Sequence, residues 1–178
     1  ILDCSRSCSG SSSILLACED IAKTISDKPI WIKGIGQKTT SASFTKNVLE
    51  EIESTRIASK TAYEMAKIGP NDINVAEVHD AFSVCELMAI SELGITASDK
   101  SGEFVRDLFN TENRMINPRG GLIGAGHPLG ATGISQTIEI ATQLQGKSGK
   151  RQISNLKTGL VHNMSAAGTS SSVMVLEN

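Results

Sequence analysis

The sequence predicts an α/β layered fold, on three observations. Segments alternating apolar and polar residues take turns with segments of helical period along the chain. Gly, Pro, Asn and Asp stand at the junctions between them. Residues 158–177 read as two strands around a small-residue turn, a hairpin-like ending.

Taken in order, residues 11–25, SSSILLACEDIAKTI, predict a short strand running into a helix that Asp27, Lys28 and Pro29 end. PIWIKGIGQKT alternates well enough for a strand from Ile30 to Gly36. Residues 54–68, STRIASKTAYEMAKI, form a helix whose inner face is expected to carry Ile57, Ala58, Thr61, Ala62, Met65 and Ala66, closed by GPND. INVAEVHD is a short strand ending in polar residues, and AFSVCELMAISELG a mostly apolar helix stopped by Gly94. The polar stretch from Thr96 to Arg119 holds one short helix around Glu103 to Phe109. A glycine-dense stretch follows, GGLIGAGHPLGATG, from Gly120 to Gly133. Beyond it a helix from about Ala131 to Leu144 should turn Ile134, Ile138, Ala141 and Leu144 inward. GKSGKRQ is a surface turn, and TGLVHNMS and SSSVMVLE are the closing strands.

The 178 residues suffice for one domain or for half of a larger protein. With 39% hydrophobic and only 3% aromatic residues, the core must rest on Ile, Leu, Val, Ala and Met. A net charge of -2 argues against nucleic acid as a partner. Apolar runs such as SILLA and VMVL are too short to span a bilayer, and no leader opens the chain, so no membrane partner and a cytoplasmic location are expected. Ile1 rather than Met at the start points to a processed chain or to a piece of a longer one. Cys4, Cys8, Cys18 and Cys85 match no metal-site spacing, so reduced thiols and no metal are expected over a Cys4–Cys8 disulfide.

Two phosphate-binding signals fail on spacing. Gly146-Lys147-Ser148 lacks the leading glycine of a P-loop, position 141 being alanine. Gly124-x-Gly126 is followed by Gly130, one residue late for a dinucleotide fingerprint. The three histidines carry more. His79, His127 and His162 each lie where a predicted regular element meets a loop, and strand-end residues of layered α/β proteins gather at ligand sites. Any one of them alone is as readily a structural histidine bonded to a backbone carbonyl. His127 stands out because Gly126 and Pro128 flank it, presenting an imidazole rigidly to something that approaches the main chain closely. A helix start just after it disfavours a charged ring and suits a neutral base beside a thiol or an oxyanion.

NPRGGLIGAGHPLGATG, residues 117–133, closely resembles the glycine–histidine–proline active-site loop of thiolases, which form or cleave 3-ketoacyl-coenzyme A. VHDAF, residues 78–82, resembles the His-Asp-x-Phe loop of the archaeal and sterol-carrier-type members, where other thiolases carry Asn-Glu-Ala-Phe. VHNMSAAGTSSSVMVLE is similar to their closing loop and last strand, and CSRSCSGSSSILLA to the segment that usually reads Asp-Gly-Ala-Ala-Ala. The resemblance covers essentially the whole chain. It implies the C-terminal half of an αβαβα sandwich, with residues 1–28 closing the N-terminal half and 29–178 forming the C-terminal domain.

The same resemblance implies an acyltransferase of lipid metabolism, with coenzyme A as a substrate and no permanently bound cofactor. A cysteine of the N-terminal half attacks the ketoacyl carbonyl, and the acyl-enzyme is discharged by coenzyme A or a carbanion. His127 then activates that cysteine, with Gly126 beside it in the substrate loop. His79 takes the place of the usual asparagine in the oxyanion site, and His162 and Asn163 lie where many thiolases have a second cysteine that shuttles the α-carbon proton. Main-chain N–H groups from Ser165 to Gly168 supply a second oxyanion hole. Two departures stand out. Ala81 replaces the acid/base cysteine of the sterol-carrier-type loop, leaving His162 as the preferred shuttle and Cys85, one turn on, as a weaker one. Ser9 replaces the aspartate of the Asp-Gly-Ala segment, and Cys8 is one residue out of register with a nucleophile loop. An aldolase branch carries tyrosines in place of the two histidines matching His79 and His127, which favours thiolase chemistry here. Expected partners are acyl-CoA, the half bearing the cysteine and further copies of the chain. The competing expectation is a non-catalytic or split half, a scaffold for a hydroxymethylglutaryl-CoA synthase and a small OB-fold protein.

Overall fold

The computed structural model describes residues 2–43, 50–111 and 113–178. Its centre is a four-stranded mixed sheet of β1 (Trp31–Thr39), β2 (Val75–Glu77), β3 (Thr158–Met164) and β4 (Ser170–Glu177), in the order β1-β4-β3-β2. β4 runs antiparallel to both β1 and β3, with His162 opposite Val173, while β2 and β3 are parallel. The closing pair is therefore the hairpin that the sequence predicts.

Helices cover both faces, so the α/β layering holds. On one face α2 (Glu53–Ala66) and α3 (Ser83–Glu92) bury Ala58, Ala62, Ile90 and Leu93 against Leu160, Val173 and Val175. On the other, α6 (Thr132–Gln145) buries Ile140 and Leu144 against Val75, Val161 and Leu176. Side chains alternate across a strand, so β3 turns His162 to the α2 face and Asn163 to the α6 face. Three further helices, α1 (Glu19–Ile25), α4 (Ser101–Asn110) and α5 (Gly121–Ala125), complete the described α-helices.

Four expectations are corrected. Residues 11–17 carry no strand; they have no strand beside them to pair with, and Leu15 and Leu16 are exposed. The buried face of α2 is Ser54, Thr55, Ala58, Ser59, Ala62 and Tyr63, not the stripe through Thr61 and Met65, which are exposed. The cause lies in β1, where a Cβ at Gly34 would stand 2.1 Å from the Ala62 carbonyl oxygen and one at Gly36 1.9 Å from that of Ala58. Those two glycines admit the helix backbone at Ala58 and Ala62, and the i, i+4 spacing carries Ser54 and Thr55 inward with them. Likewise α6 rolls Gln136, Glu139 and Gln143 inward and leaves Ile134 exposed. Glu139 accepts from Arg151 at 2.9 Å, Gln143 Nε2 donates to the Arg151 carbonyl at 2.8 Å and Gln136 Oε1 accepts from Asn163 at 3.0 Å, while Gln136 Nε2 has no partner among the described residues. Lastly, the glycine-dense stretch contains the five-residue helix α5, which no sequence period announces.

Candidate active site

The end of β2 and the glycine stretch are stapled together by side chains. Asp80 accepts from the backbone N–H of Leu122 at 2.6 Å and of Ile123 at 3.4 Å, so its carboxylate caps the start of α5. Residue 121 must be glycine: its φ is +62°, and a Cβ there would lie 2.0 Å from Asp80 Oδ2. Asn117, itself at φ +49°, accepts from the Val78 N–H at 2.8 Å and donates to Glu86 at 2.7 Å. Arg119 donates to Glu77 across 2.9 Å and also to Ser135. Glu77 is fully buried with Oε1 unpartnered, and burial pushes its carboxyl up to about 7 despite the guanidinium. From the other side, residues 4–7 lie across both histidine loops. The Ser5 N–H donates to the Ala81 carbonyl at 2.8 Å and the His127 N–H to that of Arg6 at 2.9 Å.

The rings of His79 and His127 meet edge to face, their centroids 5.1 Å apart. Partners fix where each ring carries its proton. The Thr132 hydroxyl lies 3.0 Å from the Pro128 carbonyl and 2.7 Å from His127 Nδ1. With its single proton given to the carbonyl, it accepts from His127 Nδ1–H, which leaves the Nε2 lone pair to take a proton. Asn163 Nδ2 donates to Gln136 Oε1 at 3.0 Å and to His79 Nδ1 at 3.1 Å. With the amide placed this way, His79 is Nε2–H, a hydrogen-bond donor. In that arrangement one ring has an acceptor nitrogen to offer and its neighbour a donor. Burial drives both rings towards the neutral form: His79 falls to about 4, helped by the nearness of His127, and His127 is lowered despite the opposing charge of Asp80.

The structure brings His79, His127, His162 and Asn163 together, but not on equal terms. His162 is fully buried behind His79, within β3 rather than at its end. Its Nδ1 accepts from the His79 N–H at 3.4 Å and its Nε2 lies 3.0 Å from the Thr55 hydroxyl, so both nitrogens are engaged. Burial and the neighbouring His79 lower it to about 3. Its ring is therefore enclosed, with both nitrogens already bonded within the protein, unlike the part-buried ring of His127. Burial also pushes the half-buried Cys85 thiol up, away from the thiolate form. Gly126, at φ +88°, is glycine because Cys8 Sγ would lie 2.8 Å from any Cβ there. At Gly168 the backbone N–H closes the turn on the Ser165 carbonyl at 2.8 Å, and the Ser165 N–H bonds the Ser170 carbonyl at 2.8 Å. Neither amide is free for an oxyanion. Among the described residues, the N–H groups of that turn with no bond are those of Ala166, Ala167 and Thr169, the first two preceding Gly168.

Sequence reasoning missed Asp80, Asn117, Thr132 and Gln136, which orient the histidine loops. Asp80 lies beside His79, and Asn117 and Thr132 lie within the 117–133 motif, so these three had a signal in the sequence and Gln136 had none. An open groove of about 500 Å³ beside His127 runs between residues 8–12 and 128–131. All four cysteines are free, and among the described residues no three of His, Cys, Asp or Glu cluster as metal ligands. Among them, too, no helix is long and apolar enough to cross a membrane.

Residues 35–178 match the family described as Thiolase C-terminal domain-like. An acetyl-CoA acetyltransferase of Methanothermobacter thermautotrophicus is 36% identical over 178 residues, covering 98% of this chain and 46% of its own. Human sterol carrier protein 2 is 34% identical over 176 residues, covering 94% of this chain and 32% of its own. The chain thus spans 46% and 32% of the length of these two relatives, less than half of either. Among solved structures, one titled Ltp2-ChsH2(DUF35) aldolase superposes with a TM-score of 0.73 at 22% identity, over 84% of this chain and 39% of its own, a likeness of fold.

Proposed function

This chain belongs to the thiolase C-terminal domain-like family, and on that premise we propose that it supplies the histidine half of an acyl-transfer site for 3-ketoacyl-coenzyme A, acetoacetyl-CoA being the favoured substrate. The observation that supports the reading is the pair of ring contacts, His127 Nδ1 with the Thr132 hydroxyl and His79 Nδ1 with the Asn163 amide, and the protonation states proposed from them. His127 Nε2 is an acceptor able to take the proton of an approaching thiol, and His79 Nε2–H is a donor able to steady the oxygen of the attacked carbonyl. The thiol itself comes from outside these residues. Its thiolate adds to the keto carbon and the bond to the α-carbon breaks. The released carbanion takes up the thiol proton held by His127 and leaves as acetyl-CoA. Coenzyme A then gives its thiol proton to His127, its thiolate takes the acyl group, and the cysteine thiolate is expelled and reprotonated.

In this reading residues 1–28 close the preceding half and 29–178 are the C-terminal domain; Ala166 and Ala167 N–H groups take the place in the second oxyanion hole that Gly168 does not fill. The groove beside Pro128 lies on the approach to His127 and suits the pantetheine arm. Two neutral histidines in place of tyrosines favour thiolase over aldolase chemistry. We further propose a cytoplasmic homo-oligomer. The competing reading is a scaffold for partner proteins, here a hydroxymethylglutaryl-CoA synthase and an OB-fold protein.

The test is coenzyme A-dependent thiolysis of acetoacetyl-CoA by the full natural gene product. Turnover that His127→Ala lowers by about 10²–10⁴-fold, with assembly unchanged, supports the enzyme. Absence of turnover with intact assembly leaves the scaffold.

A further inference from the structure

A line of buried hydroxyls runs behind the histidines, and nothing in the proposed chemistry uses it. His162 Nε2 lies 3.0 Å from Thr55 Oγ1, Thr55 Oγ1 lies 2.9 Å from Ser171 Oγ, and Ser171 Oγ lies 2.7 Å from Ser54 Oγ. Ser54 Oγ then meets the Gly168 carbonyl at 2.6 Å. Ser54, Thr55 and His162 are 0% exposed and Ser171 is 1% exposed, so water cannot substitute for any link.

We infer that Ser54, Thr55 and Ser171 form a one-way hydrogen-bond chain that locks His162 as its neutral Nε2–H tautomer and ties it to the Gly168 turn. They are positioning residues of the proposed site, and the inference rests on that reading for its functional consequence only. The direction follows from the two ends. A backbone N–H can only donate, so His79 N–H makes His162 Nδ1 an acceptor and the ring proton sits on Nε2. A backbone carbonyl can only accept, so Ser54 donates to Gly168 and must accept from Ser171. Between these ends Thr55 accepts from His162 and donates to Ser171, and every hydroxyl donates once and accepts once. Reversing the chain, or charging the ring, would set a proton on Nδ1 against the His79 N–H. Two donors would then face each other in a buried place, which the fold disfavours.

The chain joins the start of α2 to the closing hairpin more than a hundred residues on: His162 on β3, Gly168 in the turn and Ser171 on β4. At one end it holds the main chain of His79, and so the ring that offers the oxyanion donor. At the other it holds the peptide of Gly168 and with it the turn presenting Ala166 and Ala167. His162 thus spaces the two donor sets without exchanging a proton with substrate.

The test is long-range ¹H–¹⁵N correlation on the histidine-labelled full gene product at pH 7. The expected result is a neutral Nε2–H ring for His162, its proton shifted downfield and slow to exchange. Thr55→Val should abolish the downfield shift and speed exchange, and lower kcat about tenfold with KM little changed. Thr55→Ser should restore both. An Nδ1–H or charged His162 in the parent, or resonances indifferent to Thr55→Val, would overturn the chain. If Thr55→Val does not fold, the parent spectrum and Ser171→Ala decide by the same readout. No substrate enters the spectrum, so an inactive protein with an Nε2–H His162 would sink the proposed function and leave the chain standing.

Discussion

Asn163 donates to His79 across 3.1 Å, although the two lie 84 positions apart. A residue near the end of β3 thereby decides which nitrogen of a histidine beyond β2 carries the proton. The same amide is held by Gln136 from α6, so the orientation of the donor ring rests on three elements.

That relationship makes Asn163→Asp a sharper test than a truncation. A carboxylate can only accept, so His79 would move its proton to Nδ1 and present a lone pair where the oxyanion needs a donor. Steady-state thiolysis should lose about 10²–10³-fold in kcat, the usual cost of one oxyanion donor. Unchanged kcat would exclude His79 from that role.

Thr132→Val should weaken the base more gently. His127 loses the acceptor at 2.7 Å that keeps its proton on Nδ1, and the ring is freed to adopt the unproductive tautomer. A fall of about tenfold in kcat/KM, recovered by Thr132→Ser, is expected from one hydrogen bond.

Gly36→Ala should be costly without touching the site. The new methyl would meet the Ala58 carbonyl oxygen at 1.9 Å and push α2 from the sheet. Overpacking of this kind costs about 1–3 kcal/mol, readable as a lower denaturant midpoint. A neutral outcome would mean the helix rides higher than described.

Arg119→Met should destabilise in a pH-dependent way. It leaves Glu77 buried and unpaired, at a cost of about 3–5 kcal/mol where the carboxyl is charged. Glu77 in the folded chain already titrates near 7, above its ordinary value, so stability from this group is present in acid and is lost as pH rises through 7. The variant should therefore be worse at pH 8 than at pH 5, and Glu77→Gln should remove the difference.

His162 carries the opposite sign. Its folded value of about 3 lies below the ordinary 6.5, so the unfolded chain binds a proton first. The stability advantage of the parent over His162→Gln should shrink as pH falls from 6.5 towards 3. The limiting slope is about 1.4 kcal/mol per pH unit.

Local patterns were enough for the layering, the closing hairpin, the helix stopped by Gly94 and the loop presenting His127. Those features rest on period, turn chemistry and a short motif, all of which are contiguous in the chain. They were not enough for the rotation of α2 and α6, because Gly34, Gly36 and the bonds of Gln136, Glu139 and Gln143 decide those faces from other elements. The five-residue helix α5 was hidden for a similar reason, since the carboxylate that caps it belongs to Asp80.

The candidate site divides along the same line. The sequence by itself determined which residue types stand at the strand ends, and so that His79, His127 and Asn163 were worth naming. Only the tertiary structure decided what each could do. It set His127 Nδ1 against the Thr132 hydroxyl and His79 Nδ1 against the Asn163 amide, and enclosed His162 beside Thr55. The physical reason is that a histidine's chemistry lies in its proton. Where that proton sits is set by hydrogen-bond partners that may be neighbours in the chain, as Thr132 is, or come from a strand far along it, as Asn163 does.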